Sequence, residues 1–554
     1  MAETVNIYFG STALLTALGD KAATIDAMSK GVSGLRYSER FGMNAGVVDF
    51  ADNIVDATRF ESFVVSQLET VLAESGIRLS DSDTQLILST TKGNVELLGE
   101  AASDVIPERA YIYDTAMRIA NRFNCANRPI VISNACISGV SAFVVARDML
   151  MNKSLRHTVI VGCDVLSEFI TSGFASFKSV SPNPCRPYDA LRDGLTLGES
   201  CGVAILTTDV DYATQPLVRL AGGAVTNDAN HISGPSRTGD GLCYAIEAAM
   251  REAEAAPSQI GFVNTHGTAT LYNDEMESKA VALAGLSNTP LNGLKGYIGH
   301  TLGASGVVET IMCVEELRLG KIFGTLGYEK QGTSANIKVS ADEQKTDASC
   351  CVKTASGFGG CNAAIVLDAG ELKQSTLKYT KRHAEVVGTC SLSQSECPFG
   401  EFIRAEYKKL GEPNMKFFKM SDLCKAVYIA TENLLRDIDV TVYEPTRRAI
   451  VLANSVSSLE ADAEHQHIID RHLPEGASPA VFVYTLPNVA AGEVCIRHKF
   501  QGDNTFFIEE TDNGLAEEYA RRLIAAGKAD IAICGWCDKL GENWNVNLKL
   551  LKVQ

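Results

Sequence analysis

The stretch PIVISNACISGVSAFVVARDML, residues 129–150, decides the fold of this chain. A short apolar run ending at Ile132 leads into a polar turn with Cys136, and a helical pattern follows whose first turn holds Ser138 and Gly139. This order predicts a buried strand, a tight turn and a helix. Similar apolar runs alternate with amphipathic stretches along the chain: TQLILST, HTVIVGC, GVAILTT, IGFVNTHG and AAIVLDA. The alternation favours an α/β fold with buried sheets.

The composition is that of a globular protein with more than one packed unit. The chain has 554 residues, of which 45% are hydrophobic and 21% charged, and this length exceeds the usual size of one core. Its net charge of −17 disfavours binding to nucleic acid or anionic lipid. The sequence lacks a basic secretory signal and an apolar stretch of about 18 residues, so we expect a cytoplasmic protein without a membrane span.

The 16 cysteines are scattered singly through apolar runs. This distribution indicates reduced, buried thiols rather than a disulfide framework. Cys534 and Cys537 form a C-x-x-C pair, but no second pair follows it. We therefore expect buried packing at this pair and no metal site in the chain, with zinc binding or redox chemistry as the alternative.

A second unit follows the first. The stretch ELKQSTLKYTKRH, residues 371–383, is polar and basic, and it is the predicted linker to a unit over residues 384–554. Within that unit, residues 506–535 parallel residues 131–162, which indicates internal repetition. Thr511 stands in the second copy where the first has its cysteine, so the second copy lacks a nucleophilic thiol.

Cys136 is placed where a thiol gains reactivity. At the start of a helix it faces unsatisfied backbone N–H groups and the positive end of the helix dipole, which would stabilise a thiolate. The same N–H groups would hold the oxyanion that develops when a thioester is attacked. A cysteine in such apolar surroundings is also compatible with an inert core residue. Other candidate catalytic residues in the sequence are needed to distinguish the two interpretations.

Two histidine segments supply such residues. His266 ends an apolar run in VNTHGTATLYNDEMES, and Lys295 and His300 flank a Gly-rich turn in LNGLKGYIGHTLGASGVVE. A single histidine at a strand end is commonly structural. A buried lysine needs an acidic partner, and Glu309 on the following helix is the candidate. A fourth segment, SGFGGCNAAIVL, places Phe358 in a glycine loop whose backbone freedom would let the ring move.

These four segments, in this order, resemble the β-ketoacyl synthases, the condensing enzymes of fatty acid and polyketide synthesis. The resemblance covers residues 1–370 and includes RPYDALRDGLTLGESCGVAIL and NDANHISGPS. It implies a thiolase-like αβαβα layered fold of two similar halves, residues 1–205 with the nucleophile and 206–370 with the two histidines. Residues 384–554 would then be a degenerate, truncated third half without catalytic residues.

The resemblance also implies a reaction, the decarboxylative Claisen condensation of an acyl thioester with malonyl-acyl carrier protein. Cys136 would carry the acyl group, while His266 and His300 would stabilise the enolate that forms as carbon dioxide leaves. The N–H groups of Cys136 and Phe358 would form the oxyanion hole, and Lys295 would support the site. The supporting residues implied are Glu309 and Phe358, and the phosphopantetheine- or acyl-binding residues are Thr268, Thr270, Gly359 and His231.

By the same resemblance, the donors are borne on the 4'-phosphopantetheine of an acyl carrier protein, and the chain binds no cofactor of its own. We expect a homodimer, with a heterodimer with another synthase-like subunit as the alternative. An acidic carrier protein calls for a basic patch near the entrance, and Lys153 and Arg156 are its candidate members. Two departures from the family pattern, Ile137 and Cys361, are expected to alter the acyl pocket and to bring a second thiol near it.

Two other functions stay open. The chain could be a noncatalytic partner subunit of the chain-length-factor type, although such subunits typically lack the nucleophile. It could also be a thiolase or acyltransferase that uses the same cysteine, but the Lys295 and His300 turn favours decarboxylative chemistry. For residues 384–554 the sequence suggests three roles without ranking them: support of a dimer, cover of the acyl pocket, or recruitment of a partner.

Overall fold

The structure is a computed structural model. It describes residues 5–51, 54–100, 106–370, 382–394, 396–411, 414–471 and 476–554. The predicted linker, residues 371–383, lies outside the described residues apart from Arg382 and His383.

The main strands are β1 Tyr8–Thr16, β2 Thr84–Ser89, β3 Ile130–Ile132, β4 His157–Asp164, β5 Ser200–Thr207, β6 Arg219–Asn227, β7 Phe262–Asn264, β8 Pro290–Asn292, β9 Lys338–Val339, β10 Cys350–Gly357, β11 Cys361–Asp368, β12 Ala384–Ser393, β13 Arg448–Asn454, β14 Asn504–Ile508, β15 Ile531–Leu540 and β16 Asn543–Val553. Shorter strands are Gly19–Asp20, Arg36–Ser38, Met43–Gly46, Leu197–Gly198, Lys321–Ile322 and Gln344–Lys345.

The longer helices are α1 Lys21–Ser29, α2 Arg59–Ser75, α3 Ile112–Arg122, α4 Ser138–Met151, α5 Glu168–Ser176, α6 Asp240–Glu252, α7 Leu271–Leu283, α8 Ser305–Leu319, α9 Phe399–Leu410, α10 Asp422–Leu435, α11 Leu459–Asp470, α12 Val489–His498 and α13 Leu515–Ala525. Short helices are Leu97–Glu100, Lys295–Ile298 and Pro479–Phe482.

The same strand order occurs three times along the chain. The first sheet runs β1-β5-β4-β2-β3, the second β6-β11-β10-β7-β8, and the third β12-β16-β15-β13-β14. In each sheet the last three strands of this order are parallel to one another, and the second strand is antiparallel to both of its neighbours. The predicted architecture of two similar halves and a degenerate third half is therefore confirmed.

Helices α4 and α8 form the layer between the first two sheets. Helix α4 contacts β4 and β6, and helix α8 contacts β5 and β10, while α2 covers the outer face of the first sheet and α6 that of the second. The two central helices cross where Gly139 meets Gly306. A Cβ atom at Gly139 would lie 2.6 Å from the backbone nitrogen of Val307, so only glycine allows this approach. The layered α/β fold follows from that close crossing.

The third sheet continues the first one. Strand β14 pairs with β3 in antiparallel register, with Phe507 opposite Ile132 and Ile508 opposite Val131. This junction joins two parts of the chain that are far apart in sequence. Residues 384–554 (hereafter the C-terminal unit) thus occupy the β3 edge of the first sheet. The predicted boundary at residue 205 is two residues early, because β5 extends to Thr207, which pairs with β1.

Within the residues that the structure describes, no single helix has the length and apolar composition to cross a membrane. The stretches Pro479–Thr485 and Val489–His498 meet those criteria only as a pair, and the pair is bent by 99°. The C-x-x-C pair lies on strand β15, where Cys534 and Cys537 are both buried as free thiols. Residues three apart on a strand point to opposite faces, so the two thiols pack on different sides of the sheet.

Candidate active site

Cys136 lies in a sharp turn between β3 and α4. The turn, Ala135–Ile137, is a short 3₁₀ helix, and Ala135 has a φ of 48°, in the left-handed region that few residues other than glycine adopt. The hydroxyl of Ser138 accepts a hydrogen bond from the N–H of Asn134 at 2.7 Å and donates to the carbonyl of Ala135 at 2.6 Å. The turn therefore holds the thiol in one place, with 9% of Cys136 exposed.

The surroundings of the Cys136 thiol favour its protonated form. Burial raises the pKa of Cys136 to about 12, and the nearby Lys295 only partly offsets this effect. Desolvation thus outweighs the stabilisation that the start of the helix was expected to give a thiolate. The Nε2 atom of His300 lies 3.1 Å from the Sγ atom of Cys136, close enough to accept its proton.

The two predicted histidines face the same point. The Cys136 sulfur and one ring nitrogen each of His266 and His300 all lie within 4.8 Å of one another. The two rings meet edge to face, with centroids 4.9 Å apart. A thiol and two imidazoles are also ligand types that hold zinc, but the buried ammonium of Lys295, 3.3 Å from His266 Nδ1, opposes a cation here.

Both imidazoles are neutral. Burial, followed by the charges of Lys295 and Lys353, lowers the pKa of His300 well below its usual value, and burial and Lys295 do the same for His266. The Lys295 ammonium faces Nδ1 of His266, which leaves the ring hydrogen on Nε2. The Ser305 hydroxyl lies 3.1 Å from Nδ1 of His300 and can donate or accept, so it serves either tautomer of that ring.

Lys295 is fixed by an ion pair with Glu309, as the two segments led us to expect. Its Nζ atom lies 2.7 Å from Glu309 Oε1 and 2.6 Å from the carbonyl oxygen of His266, and both side chains are fully buried. Glu309 also binds Lys353, whose Nζ atom lies 2.5 Å from Oε2. Sequence reasoning missed Lys353, although a lysine inside the apolar strand β10 was a signal for a buried ion pair.

A second buried acid, Glu277, holds the turn that carries His266. Its carboxylate accepts the N–H groups of His266 and Gly267, each at 2.8 Å, and the hydroxyl of Tyr188 at 3.0 Å. Burial raises the pKa of Glu277. Its sequence segment had been singled out for the histidine and the threonines, but nothing in the pattern distinguished this glutamate from a surface residue on helix α7.

The glycine loop with Phe358 borders the nucleophile. A Cβ atom at Gly357 would lie 3.1 Å from the backbone nitrogen of Cys136, so glycine leaves that N–H accessible. The Phe358 ring stacks against Phe174, with centroids 6.2 Å apart and planes 20° apart, and it also contacts Phe177. Phe358 thus stands as an aromatic wall beside the thiol.

An outer cavity of about 240 Å³ opens onto the thiol. Its lining includes the predicted residues Cys136, His266, His300, Phe358, Thr268 and Thr270. The hydroxyls of Thr268 and Thr270 lie 3.0 Å apart in this lining, which also contains Asp228 and Asn273.

Two predicted binding residues are not in the lining of this cavity. Gly359 lies behind the loop, where its N–H donates to the carbonyl of Ile232 at 2.6 Å. His231 is exposed, and its Nδ1 atom accepts the N–H groups of Ser233 and Gly234, each at 3.1 Å. That imidazole stabilises its own turn instead of facing the thiol.

A small inner cavity of about 20 Å³ lies behind Cys136, roughly the size of one water molecule. The first unit contributes Ile170, Phe174 and Phe358 to its lining, and the C-terminal unit contributes Phe482 and Leu486. Lys92 also lines this cavity, and it forms a buried ion pair with Asp462 across the two units, with 2.6 Å between Nζ and Oδ1. The C-terminal unit therefore closes the inner end of the site.

Of three further expectations, two differ from the structure and one agrees with it. Lys153 follows helix α4, at the end away from Cys136 and about 21 Å along its axis, and Arg156 binds Asp209 there, so they do not border the entrance. Ile137 is fully buried in the main core and does not line either cavity. Cys361 does approach the site, with its Sγ atom 3.2 Å from the carbonyl oxygen of Phe358.

Two family models match the first unit. "Beta-ketoacyl synthase, N-terminal domain" matches residues 17–211, and "Beta-ketoacyl synthase, C-terminal domain" matches residues 217–329. Together the matches cover more than half of the chain. The first match contains the nucleophile turn, and the second contains both histidine segments.

Curated proteins and solved structures extend these matches. The 3-oxoacyl-[acyl-carrier-protein] synthase 2 of Vibrio harveyi is 32% identical over 253 residues, which are 43% of this chain and 61% of that protein. The chloroplastic 3-oxoacyl-[acyl-carrier-protein] synthase I of Hordeum vulgare is 28% identical over 249 residues, 42% of this chain and 54% of that protein. The chain thus spans little more than half of these relatives.

One solved structure resembles nearly the whole chain, including the C-terminal unit. It is described as "PfaC Keto synthase-Chain length factor", and it aligns with a TM-score of 0.78 over 99% of this chain and 78% of its own. The sequence identity is 14%, so the likeness shows the fold alone. It indicates that the three-sheet arrangement also exists in another protein.

Proposed function

The chain belongs to the β-ketoacyl synthase family, and on that premise we propose that it catalyses the decarboxylative condensation of an acyl thioester with malonyl-acyl carrier protein. The observation that carries this proposal is the convergence of Cys136, His266 and His300 on one cavity, within 4.8 Å of one another. The product is a β-ketoacyl thioester, as in fatty acid or polyketide synthesis.

The first step of the proposed reaction loads Cys136. Its thiol gives its proton to Nε2 of His300, and the sulfur attacks the carbonyl carbon of the acyl thioester. The oxyanion is held by the backbone N–H groups of Cys136 and Phe358. When the tetrahedral intermediate collapses, the bond to the carrier sulfur breaks and the carrier thiolate takes the proton back from His300. The acyl group remains on Cys136.

The second step uses the two imidazoles as donors. After loading, the ring proton of His300 moves from Nδ1 to Nε2, and Ser305 can then donate to Nδ1. The malonyl thioester carbonyl accepts hydrogen bonds from Nε2 of His266 and of His300 as the bond to the carboxylate breaks and carbon dioxide leaves. The electron pair of that bond becomes the enolate, whose carbon attacks the acyl carbonyl on Cys136. The Cys136 thiolate leaves and takes up one proton from water, which balances the negative charge that the malonyl carboxylate carried. Neutral imidazoles suit this role, because charge appears on the substrate oxygen only in the transition state.

We propose that both donors arrive on the 4'-phosphopantetheine arm of an acyl carrier protein and that the chain binds no cofactor of its own. The outer cavity supports this, since Thr268 and Thr270 supply hydroxyls on the path to the thiol and can bind the amide groups of such an arm. We infer a cytoplasmic location for this reaction.

For the C-terminal unit we propose that it covers the acyl pocket. Phe482 and Leu486 in the lining of the inner cavity support this role over the two others. The unit also occupies the β3 edge, so a homodimer or a heterodimer, both expected from the family, would have to use another surface. The second candidate function, a chain-length-factor-type partner, fits this unit alone, because Thr511 stands where a nucleophile would be.

Intact-mass spectrometry tests the proposed function. The purified chain and its Cys136→Ala variant are incubated with acyl carrier protein thioesters of different acyl lengths. We expect the mass of the acyl group to be added to the wild type alone. Malonyl carrier is then added, and release of carbon dioxide with loss of that mass completes the test. Absence of any adduct, or an adduct on the alanine variant, would reject the assignment of Cys136.

A further inference from the structure

Asn488 of the C-terminal unit makes the most direct contact between that unit and the catalytic loops. It precedes helix α12, and 2% of it is exposed. Its Nδ2 atom donates to the carbonyl oxygen of Phe358 at 2.8 Å and lies 3.6 Å from the Sγ atom of Cys361. A residue far from the family motifs in sequence therefore holds the loop that borders the nucleophile.

The packing around this contact leaves no space for a side chain at either neighbouring glycine. A Cβ atom at Gly359 would lie 2.6 Å from Asn488 Nδ2, and one at Gly492 would lie 2.7 Å from the carbonyl oxygen of Gly359. Glycines on both sides thus let the loop and helix α12 touch through their backbones. On the other side the loop is held by Asn227, whose Nδ2 atom donates to the carbonyl of Gly359 at 2.9 Å.

The C-terminal unit holds the nucleophile turn as well. The side chain of Asn134 donates to the carbonyl of Asn504 at 3.0 Å and accepts the N–H of Phe506 at 2.9 Å. Asn134 lies two residues before Cys136. Strand β14 and Asn488 thus fix, from one unit, the two backbone segments whose N–H groups form the proposed oxyanion hole.

Asn488 is also incompletely bonded. Among the described residues, its Oδ1 atom is buried and has no hydrogen-bond partner. A buried acceptor without a partner costs folding free energy, so an apolar side chain of similar size would fill the same space more favourably. Packing alone does not account for an asparagine at this position, whereas the donation from Nδ2 to the loop does.

We propose that Asn488 is a positioning residue, through which the C-terminal unit sets the location of the Phe358 backbone N–H beside Cys136. This inference rests on the proposed function. The carbonyl and the N–H of Phe358 belong to one residue, so a donor that fixes the carbonyl restricts where the N–H points. Oxyanion stabilisation depends steeply on donor placement, and a shifted N–H slows acyl transfer.

The test compares Asn488→Leu with a matched control, Asn454→Leu, in the full chain. Leucine has the same branching and the same number of side-chain heavy atoms as asparagine, but it is bulkier and has no donor. Asn454 is buried in the same unit, and among the described residues its side-chain amide bonds only to the backbone of Ser457. Both variants remove one buried amide, but only the first removes a contact to the Phe358 loop.

Two readouts separate a positioning role from a structural one. The first is the rate of Cys136 acylation against the rate of malonyl decarboxylation without an acyl donor, since decarboxylation needs the histidines and not the Phe358 N–H. We expect Asn488→Leu to slow acylation about tenfold or more and to leave decarboxylation near the wild-type rate. Asn454→Leu should leave the ratio of the two rates unchanged. A parallel fall of both rates in Asn488→Leu would overturn the proposal.

The second readout does not depend on turnover. Hydrogen–deuterium exchange of the peptide that contains residues 356–361 should become faster in Asn488→Leu and stay at the wild-type rate in Asn454→Leu. Unchanged exchange in Asn488→Leu would overturn the proposal whatever the activity. A wild-type chain that forms no acyl-enzyme would reject the proposed function instead, and the exchange result would still decide whether Asn488 holds the loop.

Discussion

The Nε2 atom of His300 lies 3.1 Å from the Sγ atom of Cys136, whereas Nδ1 of His266 is turned toward the ammonium of Lys295. The two histidines of the site are therefore not equivalent. Only His300 forms a hydrogen bond with the thiol, and His266 is set to present its Nε2 hydrogen to a ligand in the cavity. The two steps of the proposed reaction should therefore depend differently on the two histidines.

The first prediction separates the two histidines. His300→Asn should slow both the acylation of Cys136 and the decarboxylation of malonyl carrier, because it removes the proton acceptor and one donor. His266→Asn should slow decarboxylation about 100-fold or more and leave acylation nearly unchanged. Stopped reactions analysed by intact mass measure acylation, and carbon dioxide release measures decarboxylation. Equal losses of acylation in the two variants would contradict the assignment.

The second prediction concerns the buried charges at Glu309. Glu309→Gln leaves Lys295 and Lys353 without their shared carboxylate, and should lower the free energy of unfolding by about 3–5 kcal/mol. The control is Glu385→Gln, which breaks the exposed pair with Lys552 and should cost less than about 1 kcal/mol. Urea denaturation followed by circular dichroism compares the variants. A loss no larger than that of the control would show that the buried carboxylate is not needed.

The third prediction is the pH dependence of stability. His266 and His300 have folded pKa values well below 6.5, so the unfolded chain takes up their protons first as the pH falls. Because the unfolded state then binds more protons, stability should fall below about pH 6.5, by up to about 1.4 kcal/mol per histidine and pH unit.

The double variant His266→Asn/His300→Asn isolates this contribution from other titrating groups. Between pH 6.5 and 5, where a histidine of the unfolded chain takes up its proton, the unfolding free energy of this variant should depend less steeply on pH than that of the wild type. Identical slopes for the two proteins would show that the histidines are protonated in the folded chain. Urea denaturation at a series of pH values provides the comparison.

The fourth prediction concerns the length of the acyl group. Phe482 closes the inner cavity against helix α5, and a Cβ atom at Gly173 would lie 2.2 Å from its ring. Phe482→Ala should therefore admit longer acyl chains on Cys136 than the wild type accepts. Competition between carrier thioesters of different lengths, read as adduct masses, measures the preference. The control, Phe418→Ala, removes an exposed ring of the same unit and should not change it. An unchanged preference in Phe482→Ala would show that Phe482 does not limit the length of the acyl chain.

The sequence was sufficient for the parts of the site that lie in contiguous segments. Cys136, the two histidines and the pairing of Lys295 with Glu309 each follow a short pattern of strand, turn and helix, and such local patterns determine local structure. The apolar runs likewise marked the parallel strands. Their order in the sheets was not predicted, since periodicity alone does not specify which strands are neighbours.

The sequence did not predict features that depend on contacts between distant segments or on burial. The pairing of Asn488 with Phe358 joins residues 130 positions apart, and neither residue type marks it. The state of the Cys136 thiol depends on how much water the fold removes, which a helix-start pattern does not reveal. His231 shows the same limit, because a histidine in a polar loop looks alike in sequence whether its ring binds a substrate or bonds within its own turn. In the structure its ring accepts N–H groups of its own turn.

The junction of β3 with β14 has a consequence for how this protein behaves on dilution. In an assembly of two chains, such a junction dissociates once the concentration falls below its dissociation constant. Here both strands belong to one polypeptide, so the local concentration of one strand near the other does not depend on how many molecules are present. The ratio of catalytic to covering unit is likewise fixed at translation. A cell that makes very little of this protein would still make every copy with its pocket closed.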